Sequence, residues 1–140
     1  LALREPTALQ LEKQGYGHVV ASIGELGGTV PYTAYNAKKS YIEKNPEVIK
    51  GFTKAINKAL EYVKNHDSEE IAKHILSYFP DISMNDLTSI VDRYKGIDAW
   101  FDNTYISEDD FNHIQEIMEN AGQLTEKAPY EKLVNTKYSK

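Results

Sequence analysis

Apolar residues first fall in short alternating runs along the chain and later recur every three or four positions, so strands are expected early and helices afterwards. Leu1-Ala2-Leu3 reads as the end of a strand, and Pro6 stands where a first helical residue tolerates a missing N–H. A short helix is expected from there to Gln14, with Ala8, Leu9 and Leu11 on its apolar side and Gly15 as a left-handed stop. Tyr16 to Ile23 contains the β-rich run His18-Val19-Val20-Ala21 and reads as a strand, followed by a glycine-rich turn over residues 24–29. Val30 to Ala37, with Tyr32, Thr33 and Tyr35, suits a pleated and partly buried surface and reads as the next strand.

From residue 45 the period changes. Asn45 can cap a helix that has Pro46 first and Glu47 at its positive end. Val48, Ile49, Phe52, Ala55, Ile56, Ala59, Leu60 and Val63 line one stripe of that helix, so one face must be buried. Three further helices each open on a polar residue with an acidic one three places on: Asp67 with Glu70, Ser83 with Asp86, and Ser107 with Asp110. Gly96 and Gly122 end the last two, and the aromatics of the connection Ile97 to Ile106 should lie against something. The expected fold class is therefore α/β, with two or three strands near the N-terminus followed by about four helices. Residues 1–37 form a strand-helix-strand segment and residues 38–140 a helical portion, treated together as one domain.

Composition narrows the function. At 140 residues, 41% of them hydrophobic and 26% charged, the chain can bury one core behind a solvated exterior. No run approaches the ~20 apolar residues of a membrane span. A net charge of −5 argues against nucleic acid as a partner, because phosphate binding requires clustered basic residues and Lys38-Lys39 is too small a cluster. The absence of cysteine excludes disulfides, thiolate metal sites and cysteine nucleophiles, and leaves the compartment open. The opening residues carry no initiator Met and no signal-peptide pattern, and read like a chain entered midway.

Little of the chemistry-bearing sequence is organised for catalysis. The four histidines fall in separate elements without metal-ligand spacing, and no cofactor or metal is expected. The glycines lack the companions of a phosphate loop, and Ser22 lacks half of a nucleophile elbow. One constellation remains. Arg4 and Glu5 stand where strand passes to helix, and together with free helix N–H groups they suit a small polar ligand with a charged end. A local salt bridge or helix cap explains the same two residues.

The order of these features resembles a known family. ALREP at residues 2–6, then GGTVPYTAYNAKKSYIEKNPEVIKGFTKAINKAL at residues 27–60 and AWFDNTYISEDDFNHIQEIMENAGQL at residues 99–124, is similar to the C-terminal half of substrate-binding proteins of ABC transporters. The branch concerned is the nitrate/sulfonate/taurine and thiamine-pyrimidine-precursor group, of periplasmic-binding-protein-like type. The Asn45-Pro46-Glu47 segment with Ile49, Phe52 and Ala55 carries the most specific part of the likeness. It implies a helix-rich fragment of a two-lobed fold, with residues 1–37 at the lobe crossover and 38–140 packing on the re-entered lobe. It further implies capture of a small-molecule solute between lobes by hinge closure, delivery to ABC permease subunits, and no catalysis. A full member is roughly twice as long, so the N-terminal lobe of the same parent protein is an implied partner.

The resemblance extends to the site. Glu5 matches the family's acidic position, whereas Arg4 takes a place where an aromatic is common, so the substrate does not read across. Arg4 would favour a sulfonate, nitrate or carboxylate, Glu5 an amine or aminopyrimidine, and taurine would satisfy both. Gly28, Thr29 and Tyr32 are further candidates for lining the cleft, beside their readings as turn and core. The implied location is extracytoplasmic, in a periplasm or as a cell-surface lipoprotein. Two alternatives stand: an enzyme of thiamine-pyrimidine-precursor biosynthesis from the same family, and a helical interaction domain. In the latter, aromatics around Trp100 dock a partner or an exposed lobe surface forms a dimer.

Overall fold

The computed structural model describes residues 1–139, and among them every regular element is helical. In chain order they are α1 (Thr7–Lys13), α2 (Ile23–Leu26), α3 (Lys39–Lys44), α4 (Pro46–Asn65), α5 (Ser68–Ile75), α6 (Met84–Gly96), α7 (Glu108–Asn120) and α8 (Tyr130–Leu133). A 3-10 turn, Leu76–Tyr78, follows α5 directly. None of these helices is long and apolar enough to cross a membrane.

The α/β expectation is overturned, since none of the described residues forms a strand. The segments expected as strands have strand composition, but a strand exists only through its neighbour's N–H and C=O groups. No segment among the described residues supplies them. The Val19 N–H instead donates to the Glu12 carboxylate at 2.7 Å, and the Tyr32 N–H turns back to the Val30 carbonyl at 2.9 Å in a three-residue turn. Val20 is 95% exposed, a value no paired and covered strand would show. The last residues of the expected strand wind into α2, where Ser22 Oγ accepts the Glu25 N–H at 3.2 Å as a helix cap.

The helical part follows the sequence logic closely. Asp67, Ser83 and Ser107 each accept the N–H three residues on, from Glu70 at 2.8 Å, Asp86 at 3.2 Å and Asp110 at 3.0 Å. Gly122 takes a left-handed φ of 67° just past α7. Two details differ. Asn45 serves both helices: its carbonyl accepts the Val48 and Ile49 N–H groups at the start of α4, at 3.1 and 3.2 Å, but its side-chain amide donates back to the Tyr41 carbonyl of α3 at 3.1 Å and does not cap α4. At the end of α6 the left-handed residue is Asp98, with φ 49°, while Gly96 is the last helical residue.

The chain divides into two compact units, one of Leu1–Leu26 with Glu61–Phe101 and one of Gly27–Leu60 with the residues from Asp102 onward. In the first, α5 packs on α6 and the buried apolar residues are Ile71, Ala72, Leu87, Ile90, Val91 and Leu9 of α1. Trp100 rests edge-on against Tyr94 at 5.5 Å. The Tyr62 hydroxyl donates to Glu70 at 2.8 Å, which ties the end of α4 to α5. The second unit is held more by polar contacts. Buried Gln115 exchanges hydrogen bonds with Ala128, the Thr104 N–H donates to Asn57 at 2.8 Å, and the Tyr130 hydroxyl donates to the Ile106 carbonyl at 2.6 Å.

Candidate functional site

Helix α1 begins at a residue that cannot cap it. Pro6 occupies the N-cap position without a side-chain oxygen, and Glu5, one residue earlier, supplies one by accepting the Leu9 N–H at 3.0 Å. The other Glu5 oxygen accepts from Arg93 of α6 at 2.8 Å, and Arg93 also pairs with Glu12. Glu12 in turn accepts the Val19 N–H, and Lys13 pairs with Asp86. Asp86 and Arg93 are seven residues apart within α6, two helical turns, and so share one face of it. Glu5, just before α1, and Glu12 within it both reach Arg93 on that face, while Lys13 reaches Asp86, so the charges alternate.

The electrostatics agree with the geometry. The Val19 N–H, and after it Arg93, hold the Glu12 carboxyl below the usual carboxylate range, and Lys13 does the same for Asp86. Glu12 and then Glu5 push the Arg93 guanidinium further toward its charged form. The side chain of Glu5 is only 9% exposed, so both its oxygens are committed inside the protein. This is the cap and salt bridge that the sequence offered as the second explanation of Glu5. Arg4 differs: it is exposed, its carbonyl accepts the Ala8 N–H at 3.2 Å, and no ion pair engages its guanidinium among the described residues.

Gly28, Thr29 and Tyr32 lie in the second unit. All three are exposed, Tyr32 at 74%. Gly28 has a φ of 74°, in the region where a side chain is strained. His113 of α7 reaches this loop, its Nε2 2.9 Å from the Gly27 carbonyl. Arg4 and Glu5 are thus neighbours in one unit, and Gly28, Thr29 and Tyr32 in the other. Arg93 and His113 were not singled out from the sequence. The seven-residue spacing of Asp86 and Arg93 in α6 was a readable signal, whereas nothing in the residues around His113 pointed to its loop. No cluster of three or more metal-ligating side chains occurs among the described residues.

Comparison with known proteins agrees with the sequence resemblance. Residues 2–70 match the sequence model of the family described as NMT1/THI5 like. Over 133 residues, 95% of this chain, the sequence is 40% identical to "Putative binding protein YtlA" of Bacillus subtilis, and that stretch is 40% of the relative's length. Over 93 residues, 66% of this chain, it is 28% identical to the "Nitrate/nitrite binding protein NrtA" of Synechocystis sp., covering 21% of that protein. The chain thus spans well under half the length of either relative. No solved structure gives a significant match. Both relatives are named as binding proteins, and the likeness to them and to the NMT1/THI5-like family over residues 2–70 agrees with the substrate-binding-protein group that the sequence resembles.

Proposed function

We propose that this chain is part of the solute-binding component of an ABC importer, working outside the cytoplasm and passing its ligand to permease subunits. The observation that carries the reading is the 40% identity to a binding-protein relative along almost the whole chain. The rest of such a protein, including an N-terminal lobe, would complete the capture site.

The ligand we favour is a small anion or zwitterion with a nitrate-like or sulfonate end, such as taurine. Arg4 is the exposed guanidinium beside α1, and its five donors match planar or tetrahedral oxyanions. An amine or aminopyrimidine is disfavoured, because it would have to displace Arg93 and the Leu9 N–H from Glu5. Within this reading Glu5 fixes the backbone from which Arg4 projects. The 28% identity to a protein named for nitrate and nitrite supports an anion as the ligand class.

Native mass spectrometry of the purified chain with nitrate, taurine, alkanesulfonates and aminopyrimidines tests the proposal. A single oxyanion retained at one per chain is the expected result. Retention of an aminopyrimidine in preference to every anion would overturn the choice of ligand, and retention of nothing by the chain or by its full-length parent would overturn the function.

A further inference from the structure

We infer that His113 is a positioning residue that holds the loop Gly27-Gly28-Thr29 in an oxyanion-binding conformation; this rests on the solute-binding reading above. A carbonyl can only accept, so at 2.9 Å from the Gly27 oxygen the Nε2 of His113 carries the proton and donates. The two residues are 86 positions apart, so the contact is a tertiary tether on an otherwise exposed loop. Gly28 borders the tether. Its φ of 74° suits glycine, and the place a Cβ would take lies at ordinary contact distance from His113, 3.4 Å from Nε2 and 3.9 Å from Cδ2.

Helix α7 is built to bring the imidazole to that place. Its start is capped by Ser107, and two residues beyond His113 the buried Gln115 holds Ala128 from both ends of its amide, at 2.7 and 3.2 Å. At ~100° per residue, Gln115 projects about 200° around the helix from His113. The helix is therefore anchored on one flank while the other presents the imidazole to the loop. Among the described residues the N–H groups of Gly28 and Thr29 donate to no acceptor. Successive backbone N–H groups beside a left-handed glycine form a concavity that favours an anion, and it works only if the loop is held still.

The test uses the full chain labelled with 15N, comparing wild type with His113→Phe, which keeps a ring but no donor, and His113→Gln, whose amide can donate. Nitrate and taurine serve as probes, titrated against the Gly28 and Thr29 amides. The expected result has three parts. Wild type shows the Nε2–H tautomer. His113→Phe lowers the order parameters of residues 27–29 from about 0.85 to below about 0.6 and weakens probe binding about tenfold, the effect of roughly one hydrogen bond. His113→Gln recovers most of both. Unchanged order parameters in His113→Phe would overturn the inference, as would equal loss in both variants with α7 unfolded by circular dichroism. If the loop loosens as expected but wild type binds neither probe, the tether stands and the solute reading fails.

Discussion

Oε1 of Glu5 lies 2.8 Å from a guanidinium nitrogen of Arg93, 88 residues further along the chain. Through this contact a helix cap near the start of the chain is fastened to α6, whose buried face carries Leu87, Ile90 and Val91. Removing Arg93 leaves a nearly buried carboxylate with one charge partner lost. Arg93→Ala should cost about 2 kcal/mol in urea unfolding of the chain, the scale of a hydrogen bond to a charged group. Arg93→Lys should recover only part, because an ammonium cannot fork between Glu5 and Glu12. An unchanged midpoint in Arg93→Ala would mean that the α1 to α6 contact contributes nothing to stability.

Acid should loosen the same junction. Glu12 and Asp86 have folded-state pKa values held below their unfolded ones. Such groups stabilise the fold above the unfolded value and lose that contribution as pH falls through the lowered folded value. The window lies below about pH 4, the ordinary range of these side chains. Thermal melts across that range should show falling stability in wild type and a flatter decline in the Glu12→Gln, Asp86→Asn double variant. Identical slopes would remove this junction from the acid response.

Gln115 is 5% exposed and satisfies both the N–H and the carbonyl of Ala128. Gln115→Ala should destabilise the chain by about 2 kcal/mol, since it removes two hydrogen bonds and leaves main-chain groups to find water. Urea unfolding measures this directly, and a change under about 0.5 kcal/mol, typical of an uninvolved surface site, would count against the anchoring of α7.

Val19, Val20, Ile23 and Leu26 present apolar surface with little cover. Exposed apolar segments with free backbone groups are templates for pairing. Sedimentation velocity should show concentration-dependent association of the chain, reduced in Val20→Lys, whose folding stability should stay within about 0.5 kcal/mol of wild type. A strictly monomeric chain at all concentrations would refute this.

The helices were legible because their signals are local. Asp67, Ser83 and Ser107 cap within three residues, and the stripe of α4 repeats within one element. The strands were not, because strand composition at Val19-Val20 or Tyr32 to Tyr35 says nothing about where a partner is, and among the described residues there is none. The same division holds for the site. Arg4 and Glu5 could be picked out at a helix start, but the role of Glu5 depends on Arg93, and the contact at Gly27 depends on His113. Tertiary partners at such distances leave at best a faint local mark, such as the two-turn spacing of Asp86 and Arg93 in α6.

The central claim is that Arg4 receives the charged end of an anionic solute while Glu5 serves the fold. Isothermal titration of nitrate and taurine into wild type, Arg4→Ala and Glu5→Gln tests it most directly, with unfolding free energies measured alongside. Arg4→Ala should weaken binding by about tenfold or more, the scale of a lost charge-assisted contact, at nearly unchanged stability, while Glu5→Gln should lose stability first. Tight binding that survives Arg4→Ala but disappears in a folded Glu5→Gln variant would contradict the account.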